Sequence, residues 1–347
     1  MGLAENILLY LECHAPDALS FWTVQETDVR SDLLSLCDTL YSLWLIGRMD
    51  LLASDAGARF AALLGGYTLA GGIGRGEGAP LNVHQTAYVL GTLNLLAAHG
   101  QPVQREAVSE QGWQKHELID TRTCRPRWPW YFSHHAWRIG HWIGGIPAIV
   151  LSLWRLVPDL AMRNKLPPPE AVLKSSDALI DKDTGLFRAY RIEAAQQAFR
   201  ALYRLRHDPA AGDLGGVAHL HWANYAAGRL PYKAAPALFE RAWTAMQRRP
   251  FMEKVPYCLD FDIVQLARTA IPEGDPRIVP LKARAREYAG DIVRFYGASG
   301  GLGPDYSLHK LPGGLAALHE CALIADADTV PGLGVAPVDV PKQACWI

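Results

Sequence analysis

"VHQTAYVLGTLNLLAAHGQP", residues 83–102, decides the fold. Apolar and small residues recur through it at helical spacing, with His84 near the start. It ends in Gly100 with Pro102 two residues on, a helix stop. The rhythm returns in "VAHLHWANYAAGRLP" (217–231) and, more loosely, in "GGLAALHECALIADA" (313–327). Similar helical patterns cover 31–52, 134–156, 190–206, 234–247, 259–270 and 279–296, and Ser31 reads as an N-cap ahead of Leu33. Period-two alternation between tight turns, the mark of strands, is almost absent. The chain reads as all-α.

Glycine-rich loops precede several of these helices: GGIGRGEGAPLN (71–82), DKDTGLF (181–187) and GGLGPDYSLH (300–309). A glycine-rich loop, a helix of small residues, a short turn and a second helix make the repeating unit of an α/α toroid. Small residues let the inner helices approach closely, and the loops gather at one rim. Roughly ten to twelve helices, or about five to six hairpins, fit this pattern. No composition break marks a boundary, so one domain over 1–347 is expected, with 1–30 and 328–347 as peripheral extensions.

A net charge of −1 supplies no basic field for nucleic acid or an anionic membrane. The apolar run GGIPAIVLSLW (144–154) is too short to span a bilayer, and no signal peptide is evident. The six cysteines are scattered without a CxxC pair, which suits reduced thiols in the cytoplasm. Trp and Tyr are abundant, at 11 and 13 residues beside 12 His. Such rings fill cores, and they also form the flat walls on which sugars stack.

Five groups of residues could carry chemistry. In SHHAWRIGHWIGG (133–145), His134, Arg138 and His141 share one helical face and Trp137 borders it. An arginine between histidines opposes a metal and suits a carboxylate or phosphate. The alternative is a set of hydrogen bonds to loops over a barrel rim. In YCLDFDI (257–263), Asp260 and Asp262 could act as paired carboxylates, or one could cap the helix that follows. His221 and Tyr225 stand four residues apart beside Trp222, and His84 and Tyr88 repeat that spacing after Asn82. Histidine works as a base near neutral pH, although buried His–Tyr pairs are also ordinary packing. Asp305 and Tyr306 would project from the 300–309 loop, while Glu320 lies in an apolar helix and needs a cationic partner.

The segments DTGLF, GGLG and NVHQTAY resemble those of α/α-toroid carbohydrate-active enzymes, both glycoside hydrolases and polysaccharide lyases. The resemblance implies a rim cavity holding an acidic oligosaccharide or another small molecule, with no metal and no cofactor. In alginate-lyase-like toroids an Asn and a His near a helix start do the chemistry, and Asn82 with His84 resembles that pair. The GGLG-then-helix rhythm is also similar to terpene-cyclase and prenyltransferase toroids. Against that, DxDD is broken by Ile263 and DDxxD is absent. A non-catalytic helical binding protein is the third class.

Overall fold

A computed structural model describes residues 2–25, 31–70, 80–103, 143–187, 198, 201–202, 209–230, 234–248, 251–297 and 301–347. The described residues are helical, with no strand and two isolated backbone bridges, Thr68 to Pro80 and Ile180 to Phe187. The helices run α1 Leu3–His14, α2 Pro16–Thr23, α3 Leu33–Leu45, α4 Ala56–Leu64 and α5 Val83–Ala98. Next come α6 Gly145–Leu156, α7 Pro158–Arg163, α8 Pro169–Ser176, α9 Pro209–Ala226 and α10 Ala235–Met246. Last are α11 Cys258–Ala270, α12 Ile278–Gly297, α13 Leu311–Ile324 and α14 Val340–Ala344.

Most of the 190–206 pattern lies outside the described residues. Helices α3, α5, α10, α11, α12 and α13 lie where periodicity puts them, and α1, α2, α4, α7, α8 and α14 are unexpected. Three of these, α2, α7 and α8, begin on proline, whose missing N–H costs nothing in a first turn. Read along the sequence, PPP at 167–169 looks like punctuation; it also launches α8. The cap of α3 is Asp32 and not Ser31: its carboxylate accepts from the Ser35 amide at 3.0 Å.

Where the sequence reads as one domain, the contacts divide into two compact units. The first comprises Met1–Ala56, Ala242–Val340 and Ile347, and the second Gly57–Arg241 with Pro341–Trp346. The first unit is built on α13, which buries every residue except Leu323 and packs against α11, α12 and α3. A helix that is apolar on all sides belongs at a centre. Gly313 and Gly314 permit its entry: a Cβ at the first would collide with the Cys258 backbone, and at the second with the Tyr296 hydroxyl. The segment expected to be peripheral, 1–30, contributes core. Leu3, Ile7, Tyr10 and Leu11 line one face of α1, which packs on α12, and the Trp22 indole donates to the Leu36 carbonyl at 2.8 Å.

The second unit is built on α5, buried from Thr86 to Leu96 and laid along α6, which α8 and α9 also contact. At Gly144 a Cβ would stand 2.5 Å from the His219 carbonyl carbon, so the glycine permits the closest approach of α6 to α9. The last residues of the expected C-terminal extension, Ala344–Ile347, are buried, whereas most of 328–339 is not. Asn94 Nδ2 donates to the Ala344 carbonyl at 3.2 Å, Arg155 Nη1 donates to that of Lys342 at 2.7 Å, and Trp346 is 1 % exposed.

Candidate functional site

The named residues fall on both units. In the second unit, His84 is the second residue of α5 and is half-buried. Its Nδ1 accepts a hydrogen bond from the Trp346 indole at 3.1 Å. Its ring lies parallel to Tyr88, with centroids 6.4 Å apart. Asn82 is occupied locally: its side chain accepts from the Gln85 amide at 2.9 Å while Gln85 returns a bond to the Asn82 amide, a complete capping box.

Helix α9 begins at Pro209, so His219 and His221 stand in its middle, not at its start as the periodicity implies. His219 Nδ1 donates to the Gly215 carbonyl at 2.5 Å. Its ring centroid lies 4.5 Å from that of Trp222 and 4.8 Å from that of Trp346. Burial, aided by His84, lowers its pKa to about 3, so it stays neutral. His221 and Trp222 are wholly buried. Tyr225 is half-buried, with the Lys342 ammonium 4.9 Å from its ring centroid. The fold therefore joins the His84–Tyr88 and His219–Trp222 helices through Trp346, which no local pattern advertises.

In the first unit, Asp260 occupies the first turn of α11, where capping is one reading of its position. Its carboxylate accepts from the Met252 and Tyr257 amides, each at 3.0 Å, and from the Tyr288 hydroxyl. It is fully buried, and desolvation, opposed by those bonds, raises its pKa to about 6. Asp262 is equally buried, but neither of its oxygens has a hydrogen-bond partner, and the same holds for both polar atoms of Gln265 one turn on. Burial, then the Asp260 charge, pushes the Asp262 carboxyl well above the usual range.

The remaining acids separate. Glu320 is wholly buried and meets Arg268 of α11, Nε to Oε2 at 2.5 Å and Nη2 to Oε1 at 3.1 Å. Asp305 is exposed, whereas Tyr306 does not project: it is buried, its hydroxyl donating to the Pro256 carbonyl at 2.8 Å and lying 3.0 Å from that of Tyr296. His319, the third member of the repeat set, donates from Nε2 to the Leu45 carbonyl and accepts from the Val338 amide at Nδ1. His134, Trp137, Arg138 and His141 lie outside the described residues.

Among the described residues no cluster of three or more His, Cys, Asp or Glu could hold a metal ion, and no helix is long and apolar enough to cross a membrane. Asp260 and Asp262 belong to the first unit, and His84, His221 and Tyr225 to the second. These observations define an all-α protein with a His–Trp cluster in one unit and a buried carboxyl pair in the other. No protein-family model, curated protein or solved structure matches the chain.

Proposed function

We propose that the chain is a carbohydrate-active enzyme of the α/α-toroid kind that acts on an acidic oligosaccharide by lyase or epimerase chemistry. The observation that carries this reading is the half-buried His84 imidazole held against the Trp346 indole, which the His219 and Trp222 rings flank in turn. Indole and imidazole surfaces suit a sugar ring, and an imidazole beside them can move a proton. Helices α5, α9 and α13, each buried over most of its described length, are the kind of element that lines the interior of such a fold.

Hydrolysis fits less well, because it needs two carboxyl groups flanking one bond. Asp260 is bound up in three hydrogen bonds, from Met252, Tyr257 and Tyr288, and Glu320 is paired with Arg268. In the lyase branch a base removes the proton beside the uronate carboxyl. The bond to the departing glycosidic oxygen breaks, that oxygen takes a proton, and a double bond forms in the sugar. His84 and Tyr225, both half-buried, are the site groups that substrate reaches most readily, and Tyr225 is the candidate base. The unbridged thiols of Cys13, Cys258, Cys321 and Cys345 suit a cytoplasmic setting.

One observation favours a second reading, an isoprenoid-processing toroid. Asp262 is a carboxyl kept protonated by burial, the kind of acid that could protonate an alkene. Incubation with acidic oligosaccharides separates the two. Ultraviolet absorbance of an unsaturated uronyl product supports the lyase, and new reducing ends without that absorbance indicate hydrolysis. Neither signal, together with turnover of farnesyl or geranylgeranyl diphosphate, overturns the carbohydrate reading.

A further inference from the structure

We propose that Trp346 is a positioning residue: its indole N–H fixes His84 as the neutral tautomer protonated at Nε2, so that His84 serves the site as a hydrogen-bond donor through Nε2–H and not as its base. The inference rests on the reading of His84 as a site residue. It adds a role that the residue's spacing alone leaves open.

The tautomer follows from the chemistry of the partner. An indole nitrogen can only donate, so the His84 Nδ1 facing it at 3.1 Å must carry a lone pair. The proton of a neutral ring then sits on Nε2. Turning the ring over would set a C–H against the indole and waste its donor. A proton arriving at Nδ1 would have to break the same bond. The groups described around His84 are Tyr88 on its own helix, Trp346, and the neutral His219 on α9.

Trp346 can impose this because it is itself fixed by contacts that do not involve His84. Asn94 holds the Ala344 carbonyl, Arg155 holds that of Lys342, and the Cys345 amide bonds to Pro341 at 3.0 Å. The His219 and Trp222 rings flank the indole, the latter edge-on at 5.6 Å and 78°. Gly145 borders its rim, where a Cβ would make ordinary contact with Trp346 Cη2 at 3.6 Å. His219 is set the opposite way. A carbonyl can only accept, so the proton of His219 is on Nδ1, the nitrogen that faces Gly215. The two imidazoles of one cluster therefore hold opposite tautomers.

Nitrogen-15 NMR of the intact protein at neutral pH tests this without reference to activity. His84 signals are assigned by their loss in His84→Gln, and those of His219 likewise in His219→Gln. The expected wild-type result is an acceptor-type Nδ1 and a protonated Nε2 for His84, with the reverse for His219. In Trp346→Phe, which keeps an aromatic ring and removes the donor, the two His84 nitrogens should shift toward each other as the tautomers mix. The same tautomer on both histidines, or a charged His84, overturns the inference, as do His84 shifts unchanged in a folded Trp346→Phe. If that variant does not fold, the wild-type spectrum alone decides. Opposite tautomers in a protein that turns over no acidic oligosaccharide would leave the inference standing and overturn the enzymatic reading. Turnover by a protein whose His84 is protonated at Nδ1 would do the reverse.

Discussion

Arg268 and Glu320 meet through two hydrogen bonds, with the carboxylate wholly buried and the guanidinium 17 % exposed. Arg268 also reaches Asp339 at 3.2 Å, so one cation ties α11 to α13 and to the segment before α14. Burial raises the Glu320 carboxyl and Arg268 pulls it back. Removing either partner strands the other: Arg268→Met or Glu320→Gln should each cost roughly 3 kcal/mol in urea unfolding. Arg268→Met with Glu320→Leu should recover most of that loss. Simple addition of the two single losses would show that the pair is not a unit.

Two glycines should respond to alanine with opposite signs. At Gly313 a Cβ meets the Cys258 backbone, which cannot turn aside as a side chain can. Gly313→Ala should therefore destabilise by more than about 2 kcal/mol. At Gly290, inside α12, the nearest atom is Arg294 Nη1 at 3.4 Å, so Gly290→Ala should stabilise by up to about 1 kcal/mol. Thermal midpoints measured side by side check both.

His309 Nδ1 stands 3.0 Å from Asp38 Oδ1, and that bond raises the histidine's pKa above 6.5. The folded state thus holds the proton more tightly than the unfolded chain. The stabilisation is complete below pH 6.5 and is lost as pH rises through the folded value. The imidazole is half-exposed, so the effect should be modest. His309→Gln should flatten the fall of stability with pH across this window, and an unchanged slope would remove the pair from the account.

Asp262 should show the same sign for a different reason. Desolvation holds its folded pKa well above that of an ordinary aspartate, so stability should fall as pH climbs from about 4 toward neutral. Asp262→Asn matches its volume and cannot ionise. It should be more stable than the parent at pH 7 and less sensitive to pH. Chemical denaturation at pH 4 and 7 decides. A variant less stable at both values would reveal a bond that this carboxyl makes.

Most of the helices were legible because burial patterns repeat on the scale of one turn. The pattern over 83–99 becomes Val83–Ala98, and that over 259–270 becomes Cys258–Ala270. The site was legible only where its bonds are local. Asn82 bonds to Gln85 and Asp260 to Tyr257, each within three residues, so capping could be anticipated at both. Trp346 could not be found this way, because its partner His84 is 262 residues distant and nothing around Cys345 marks the encounter. The partner that Glu320 requires was legible as a need, while its identity, Arg268, depends on how α11 meets α13.

The order of the two units along the chain has a consequence for biosynthesis. The first unit draws on residues up to Val340 and on Ile347, and the second on Pro341–Trp346 although its other residues end at Arg241. Neither unit can complete its contacts until residues beyond 340 have left the ribosome. The second unit therefore cannot finish folding as soon as its main segment has emerged. Nascent chains arrested before residue 341 should remain open to protease along the α5 and α9 segments, and emergence of residues 341–346 should close them.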